Sequence, residues 1–142
     1  MITPEITVAV TQDIAACQAL RRTVFIEEQG VSVDEEVDGK DAEAIHLLAR
    51  DGARAIGTAR ILSYGTTAKI GRVCVLPDQR GSGTGVALIE GCHEAARAAG
   101  ATRAILGAQL SALGFYERLG YRAYGDVFDD AGIDHQMMEI GL

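Results

Sequence analysis

A chain of 142 residues, 48% of them hydrophobic, is one domain spanning residues 1–142, long enough to bury about 70% of its unfolded surface. Its 20 acidic and 13 basic residues leave a net charge of −7, which argues against a nucleic-acid partner, since phosphates require a basic face. Three cysteines without close spacing suggest neither a disulfide framework nor a metal site and fit a reducing, cytoplasmic compartment; no apolar run reaches the ~18 residues of a membrane span, and residues 1–5 lack the basic start and apolar core of a signal peptide.

In chain order, residues 6–10 alternate and predict a strand. Asp13 is placed to cap a helix whose apolar positions are Ile14, Cys17, Leu20 and Val24. Residues 30–43 are acidic and polar and read as a loop. Strands are predicted over 45–49 and 53–62, joined by a turn at Asp51-Gly52, and a short connection over 66–69 leads into a strand over 70–76. A helix follows over 86–99, with Leu88, Cys92, Ala95 and Ala99 facing inward and Gly100 as its stop. After a strand over 103–107, Ser111 is placed to cap a helix carrying Ala112, Phe115, Tyr116 and Leu119, ended by Gly120. Residues 135–140 predict an edge or hairpin strand. Strands first, then strand–helix–strand–helix, imply a mixed α/β domain in three layers.

Between the strand over 70–76 and the helix over 86–99 lies Arg80-Gly81-Ser82-Gly83-Thr84-Gly85. A helix start leaves its first N–H groups unpartnered and partly positive, and glycines let a phosphate approach them. A Walker A loop needs Lys-Ser/Thr after its last glycine, but Val86-Ala87 follows here. A Rossmann fingerprint sits at the first βα turn and has an acidic residue about 20 positions on; this loop lies mid-chain with Arg103-Ala104-Ile105 there. The pattern Arg/Gln-x-x-Gly-x-Gly/Ala fits through Arg80, Gly83 and Gly85. A second motif, Gln109 with Ala112, Tyr116, Gly120 and Tyr121, follows one strand later.

Together these motifs resemble the GNAT superfamily of N-acetyltransferases, in which the first loop holds the pyrophosphate of coenzyme A and the second motif runs Asn-x-x-Ala-x-x-x-Tyr-x-x-x-Gly-Phe. Arg22-Thr23-Val24-Phe25-Ile26-Glu27-Glu28-Gln29, Asp38-Gly39-Lys40-Asp41, Ala59-Arg60-Ile61-Leu62, Ile70-Gly71-Arg72-Val73 and Asp130-Ala131-Gly132-Ile133-Asp134-His135 are similar to segments of its ElaA/YjcF-like branch. The resemblance covers residues 15–140. It implies a GNAT-type three-layer α/β/α domain with a mixed, mostly antiparallel sheet splayed at its centre. It also implies acetyl-coenzyme A as co-substrate and transfer of the acetyl group to an amine of a small molecule or peptide, with a homodimer among the assemblies.

Acetyl transfer to an amine needs a group to take the amine's proton, donors for the oxyanion, and a proton for the departing thiolate. The resemblance implies Tyr116 as the thiolate's acid. It implies Val73, Val75, Arg80, Gly81, Ser82, Gly83, Thr84, Gly85, Gln109 and Tyr116 as the coenzyme A site. Glu28 is the candidate base, and Glu28, Gln29, His46 and Arg72 the candidate acceptor contacts. The residues alone leave alternatives standing. Tyr116 shares a helical face with Ala112 and Phe115, a spacing that by itself reads as core packing. Glu28 reads as a helix-end salt bridge, His46 as a structural strand residue, and His135 as either. Arg60 and Arg72 select an acidic acceptor or pair internally with Asp38 or Asp41, whereas the acidic stretch around residues 27–41 would steer a cationic one. Cys74 reads as a small strand residue rather than a nucleophile. A coenzyme-A-binding sensor or assembly protein without catalysis is the alternative function.

Overall fold

The computed structural model describes residues 5–142. Residues 1–4, which carry most of the segment judged above not to be a signal peptide, lie outside the described residues. The first strand, β1 (Ile6–Thr11), runs into α1 (Ile14–Arg21), whose N-terminus is capped as expected: the Asp13 carboxylate accepts from the Ala16 amide at 3.1 Å. The helix then continues as a π-helical segment, Arg22–Glu28, with i→i+5 bonding such as Gln29 N–H to the Val24 carbonyl.

The segment expected to be loop contains a short helix, α2 (Val33–Glu36), and a 3₁₀ turn at Asp41–Glu43. Ser32 caps the start of α2: its hydroxyl oxygen accepts from the Glu35 amide while its O–H donates to the Glu35 carboxylate.

Strands β2 (Ile45–Asp51), β3 (Arg54–Tyr64) and β4 (Thr67–Val75) form an antiparallel meander, and β4 absorbs residues expected to be a connection. Helix α3 (Thr84–Ala98) crosses to β5 (Arg103–Gln109). A 3₁₀ turn, Leu110–Ala112, leads into α4 (Leu113–Arg118), so Ser111 is not the cap. Two long strands, β6 (Arg122–Asp130) and β7 (Ile133–Gly141), close the chain as a hairpin. The sheet order is β1-β2-β3-β4-β5-β7-β6. The last strand in sequence therefore lies inside the sheet, and the unanticipated β6 is the edge.

Alternation along β2 divides the molecule into layers. Leu47 joins the large core under α3, with Leu88, Ile89, Cys92 and Ala96, while its neighbour Leu48 joins the smaller core under α1, with Cys17, Leu20 and Val24. Ala96, rather than Ala99, completes the buried stripe of α3.

Every strand pair is antiparallel except β4–β5, which is parallel and brief. It pairs Thr67 with Arg103, Ala68 with Ala104 and Lys69 with Ile105, and then stops. Beyond that point β4 and β5 diverge. An extra residue in β4 accompanies the divergence, since Thr58 faces Cys74 and Arg60 faces Gly71; Arg72, within the bulge, takes a φ of 51°.

Candidate active site

The divergence of β4 and β5 opens a cavity of about 540 Å³ through the middle of the sheet. Val73 and Val75 line one side, Gly107 and Gln109 the other, and Tyr116 of α4 its floor. A second hollow of about 380 Å³ lies over the loop before α3, and Val75, Arg80, Gly85 and Phe115 line both.

The loop is a backbone cradle. Among the described residues, none of the amides from Gly81 to Val86 donates to another protein group. Gly81 and Gly83 adopt φ of 80° and 87°, a region where a side chain is strained. Gly83 is also the residue from which α3 departs, so the free amides point out of the positive end of a 15-residue helix. The hydroxyls of Ser82 and Thr84 are consumed within the loop: Ser82 donates to the Gln79 carbonyl at 2.6 Å, and Thr84 Oγ1 lies 2.8 Å from Ser82 Oγ. What Ser82 and Thr84 offer a ligand is therefore their amides. The cradle fits a pyrophosphate by its donors and its shape.

Tyr116 is 8% exposed and packs edge-on against Phe115 and Tyr121. Its hydroxyl makes no hydrogen bond among the described residues, whereas that of Tyr121 is held by His93 at 2.6 Å. Burial, with Cys92 nearby, pushes the Tyr116 phenol up to about 12, so it remains a proton donor throughout the neutral range.

The structure changes two of the sequence expectations. Glu28 does not line the cavity: its carboxylate makes a two-point ion pair with Arg80, at 2.7 and 2.6 Å. That pair holds the carboxyl below its usual range, the wrong direction for a base near neutral pH. His46 is 3% exposed, lies outside the cavity lining, and donates from Nε2 to the Asp41 carbonyl at 2.9 Å; it is a structural residue. Gln29 does reach the cavity, where it accepts from the Gln109 side chain at 3.1 Å.

The acidic stretch is largely spent on internal pairing. Arg21, 1% exposed, meets Glu36 at 2.7 Å and also pairs with Asp41; Arg60 pairs with both Asp38 and Asp41. Arg72 lines the cavity but gives its guanidinium to the Glu35 and Glu36 carbonyls, with Asp38 at 3.4 Å. Burial, then the neighbouring Arg60, pushes the Arg72 pKa down. Cys74 is buried and its thiol is pushed up to about 12 by burial, which leaves no thiolate for nucleophilic attack. No group of metal-ligating residues occurs among the described residues.

Sequence reasoning quoted Phe25 in a branch signature and Phe115 on the helical face of Tyr116 without giving either a place in the site, passed over Phe128, and left His135 undecided; all four line the cavity. Only the register of β5 with β7 shows that His135 stands opposite Gln109.

A family model described as an acetyltransferase (GNAT) domain matches residues 11–142. Among curated relatives, YjcF of Bacillus subtilis, named an uncharacterized N-acetyltransferase, is 38% identical over 122 residues, 84% of this chain and 87% of that one. An acyl-CoA N-acyltransferase from Pseudomonas aeruginosa superposes with a TM-score of 0.81 at 30% identity, covering 94% of this chain and 97% of that one. ElaA of Escherichia coli superposes with a TM-score of 0.81 at 26% identity, covering 98% and 99%. With the splayed sheet and the amide cradle on the same chain, these matches show that the protein belongs to the GNAT family of acyl-CoA-dependent N-acetyltransferases.

Proposed function

We propose that this chain moves an acetyl group from acetyl-coenzyme A to the amine of a small molecule or peptide, by direct transfer within a ternary complex. The observation that carries this reading is the cleft itself. It runs from the amide cradle, past a buried tyrosine hydroxyl with no partner among the described residues, to an acceptor chamber that is part of the same cavity and is lined by Val24 and Phe25 of the π-helical segment. A donor and an acceptor can then meet in the sheet without a covalent enzyme intermediate, and the protonated, inert Cys74 supports the same conclusion.

The amides of residues 81–86 and Arg80 would hold the pyrophosphate, Val73 and Val75 the pantetheine arm, and Tyr116 would protonate the leaving thiolate. The acceptor chamber has an apolar wall that includes Phe25, Val31, Leu62, Phe128, Ile133 and Met137. It suits an amine carried on a partly apolar body better than a polycation. A sensor that merely binds coenzyme A has no use for a tyrosine held protonated at the cleft floor. Three free, buried cysteines support a reducing cytoplasmic location, and a homodimer is the assembly to check by sedimentation.

The test is free-thiol release from acetyl-coenzyme A over a panel of alkyl, aryl and peptide amines, beside melting with coenzyme A, ATP and NAD. Stabilisation by coenzyme A alone together with amine-dependent thiol release supports the proposal. Stabilisation without release from any amine favours the sensor.

A further inference from the structure

The amine's proton has no acceptor in the assignments above, since Glu28 is held by Arg80 and His46 lies outside the cavity. We propose that His135 is the general base of the transfer, accepting the amine's proton at Nε2; the proposal rests on the acetyl-transfer reading.

The two faces of the sheet separate the two proton transfers. Met138 of β7 is fully buried with Leu106, Ala108 and Tyr116. Alternation places His135 and Met137 on the opposite face. There His135 pairs in register with Gln109, whose side chain reaches Gln29 beside the π-helical segment. The acid, Tyr116, and the base, His135, thus line one cavity from opposite faces of the sheet.

The imidazole is held in one tautomer. Its Nδ1 lies 2.7 Å from the Ile133 carbonyl oxygen, which can only accept, so Nδ1 carries the hydrogen and Nε2 the lone pair. Nε2 makes no hydrogen bond among the described residues. The ring stacks on Phe128, with centroids 5.8 Å apart and planes 28° apart. Phe128 in turn leans on the bare backbone of Gly107, where an added Cβ would meet its Cζ at 3.2 Å. A half-buried, half-bonded imidazole braced by an aromatic ring has the form of a positioned base. β5 presents neutral Gln109 to it. The charged groups of other elements that line the same cavity and lack a short ion pair are Lys69 and Arg72 of β4, Asp130 of β6, Glu35 of α2, and Lys40.

In the proposed step the ammonium form of the acceptor gives one proton to Nε2, and so to solvent. The freed nitrogen lone pair attacks the thioester carbon. As the tetrahedral intermediate collapses, the C–S bond breaks, Tyr116 delivers its proton to sulfur, and the second proton lost from nitrogen returns through solvent to the Tyr116 phenolate, which leaves one proton released per turnover.

The test uses His135→Asn, whose amide retains the bond to Ile133, and His135→Ala, which opens room for an added imidazole. Both should bind acetyl-coenzyme A with the wild-type affinity, measured by calorimetry. The Asn variant should lose about 10²-fold to 10⁴-fold in kcat at pH 7, and the rising limb of its kcat/KM profile should disappear. The Ala variant should recover activity with methylimidazoles of similar size in the order of their basicity, which mere filling of space would not produce. An Asn variant with wild-type kcat and an unaltered limb overturns the assignment, as does rescue that is absent or indifferent to basicity. An active wild type with unaffected variants overturns this assignment alone. A wild type that binds acetyl-coenzyme A and acetylates no amine overturns the transfer reading together with it.

Discussion

Glu28 and Arg80, 52 positions apart in sequence, clasp each other across the mouth of the cleft through both carboxylate oxygens and both terminal guanidinium nitrogens. The next residue, Gln29, is bonded to Gln109 at the end of β5. Two consecutive residues therefore tie the π-helical segment to both lips of the splay, one after β4 and one on β5. Arg80 is braced further by its Nε, which donates to the Val75 carbonyl at 3.1 Å.

If Arg80 serves a pyrophosphate, Glu28 competes for the same guanidinium. An exposed pair of this kind contributes at most about 1 kcal/mol, or about fivefold in a dissociation constant. Glu28→Gln should then tighten coenzyme A binding by about two- to fivefold at low salt, and the gain should shrink at high salt, where the competing pair is already screened. Calorimetry at two salt concentrations reads both effects. Unchanged or weaker binding in the variant would show that Arg80 does not meet the ligand.

Gly83 carries two separate requirements, a φ of 87° and an open approach to the amides beside it. Gly83→Ala adds backbone strain of about 1 kcal/mol without adding charge, and should lower the melting temperature while largely retaining affinity. Gly83→Asp adds a negative charge in the path of a phosphate and should abolish measurable coenzyme A binding in a folded protein. The difference between the two variants is the informative quantity, and equal affinities would remove the pyrophosphate from this loop.

Tyr116→Phe keeps the ring that packs against Phe115 and Tyr121 and removes a hydroxyl bonded to no described residue. Stability and coenzyme A affinity should change little, while turnover falls by about 10²-fold or more. Because burial holds the phenol near 12, above its ordinary value, the proton is present below pH 10 and lost only as pH rises towards 12. Wild-type turnover should therefore show no decline from this group between pH 7 and 9. A Phe variant with full kcat would mean that water supplies the thiolate's proton.

The loop, its flanking strand and helix and the cap at Asp13 were legible in the sequence, because each rests on local rules of backbone geometry, whereas the tyrosine motif was read from the family resemblance. What was not legible depends on partners distant in sequence. Glu36 looks like one more surface carboxylate among Asp34 and Glu35, yet it is 5% exposed because Arg21 reaches it from α1. Strand β6 escaped notice because most of its residues are exposed on both faces and give no alternation; its neighbour β7 pairs with β5 as well, which turns the apparent edge into an interior strand. The π-helical turns of Arg22–Glu28 have no sequence signature, and they carry Glu28 to Arg80. The base could not be chosen from sequence for the same reason: the acidic and histidine candidates differ in what they touch, not in type.

The alternating chain Glu36, Arg21, Asp41, Arg60, Asp38, Arg72 should set the protein's acid stability. The hydrogen bond from Arg60 holds Asp38 at about 2, and that from Arg21 holds Asp41 lower still. Both folded values lie below those of the unfolded chain, so their stabilisation is complete above about pH 4 and is lost as pH falls through the folded values. Unfolding free energy should therefore fall steadily from about pH 4 towards pH 2. Asp41→Asn preserves the shape but leaves two nearly buried arginines with one carboxylate each. Removing one partner of a buried pair costs about 3–5 kcal/mol, and the remaining carboxylates with partial exposure of Asp41 reduce this to about 2–3 kcal/mol at pH 7. The variant should also lose stability less steeply on acidification, having one depressed carboxyl fewer. Urea unfolding at pH 7 and at pH 3 measures both quantities; a variant as stable as the wild type at pH 7, with the same loss on acidification, would show that the chain of charges does not hold the segment before β2 in place.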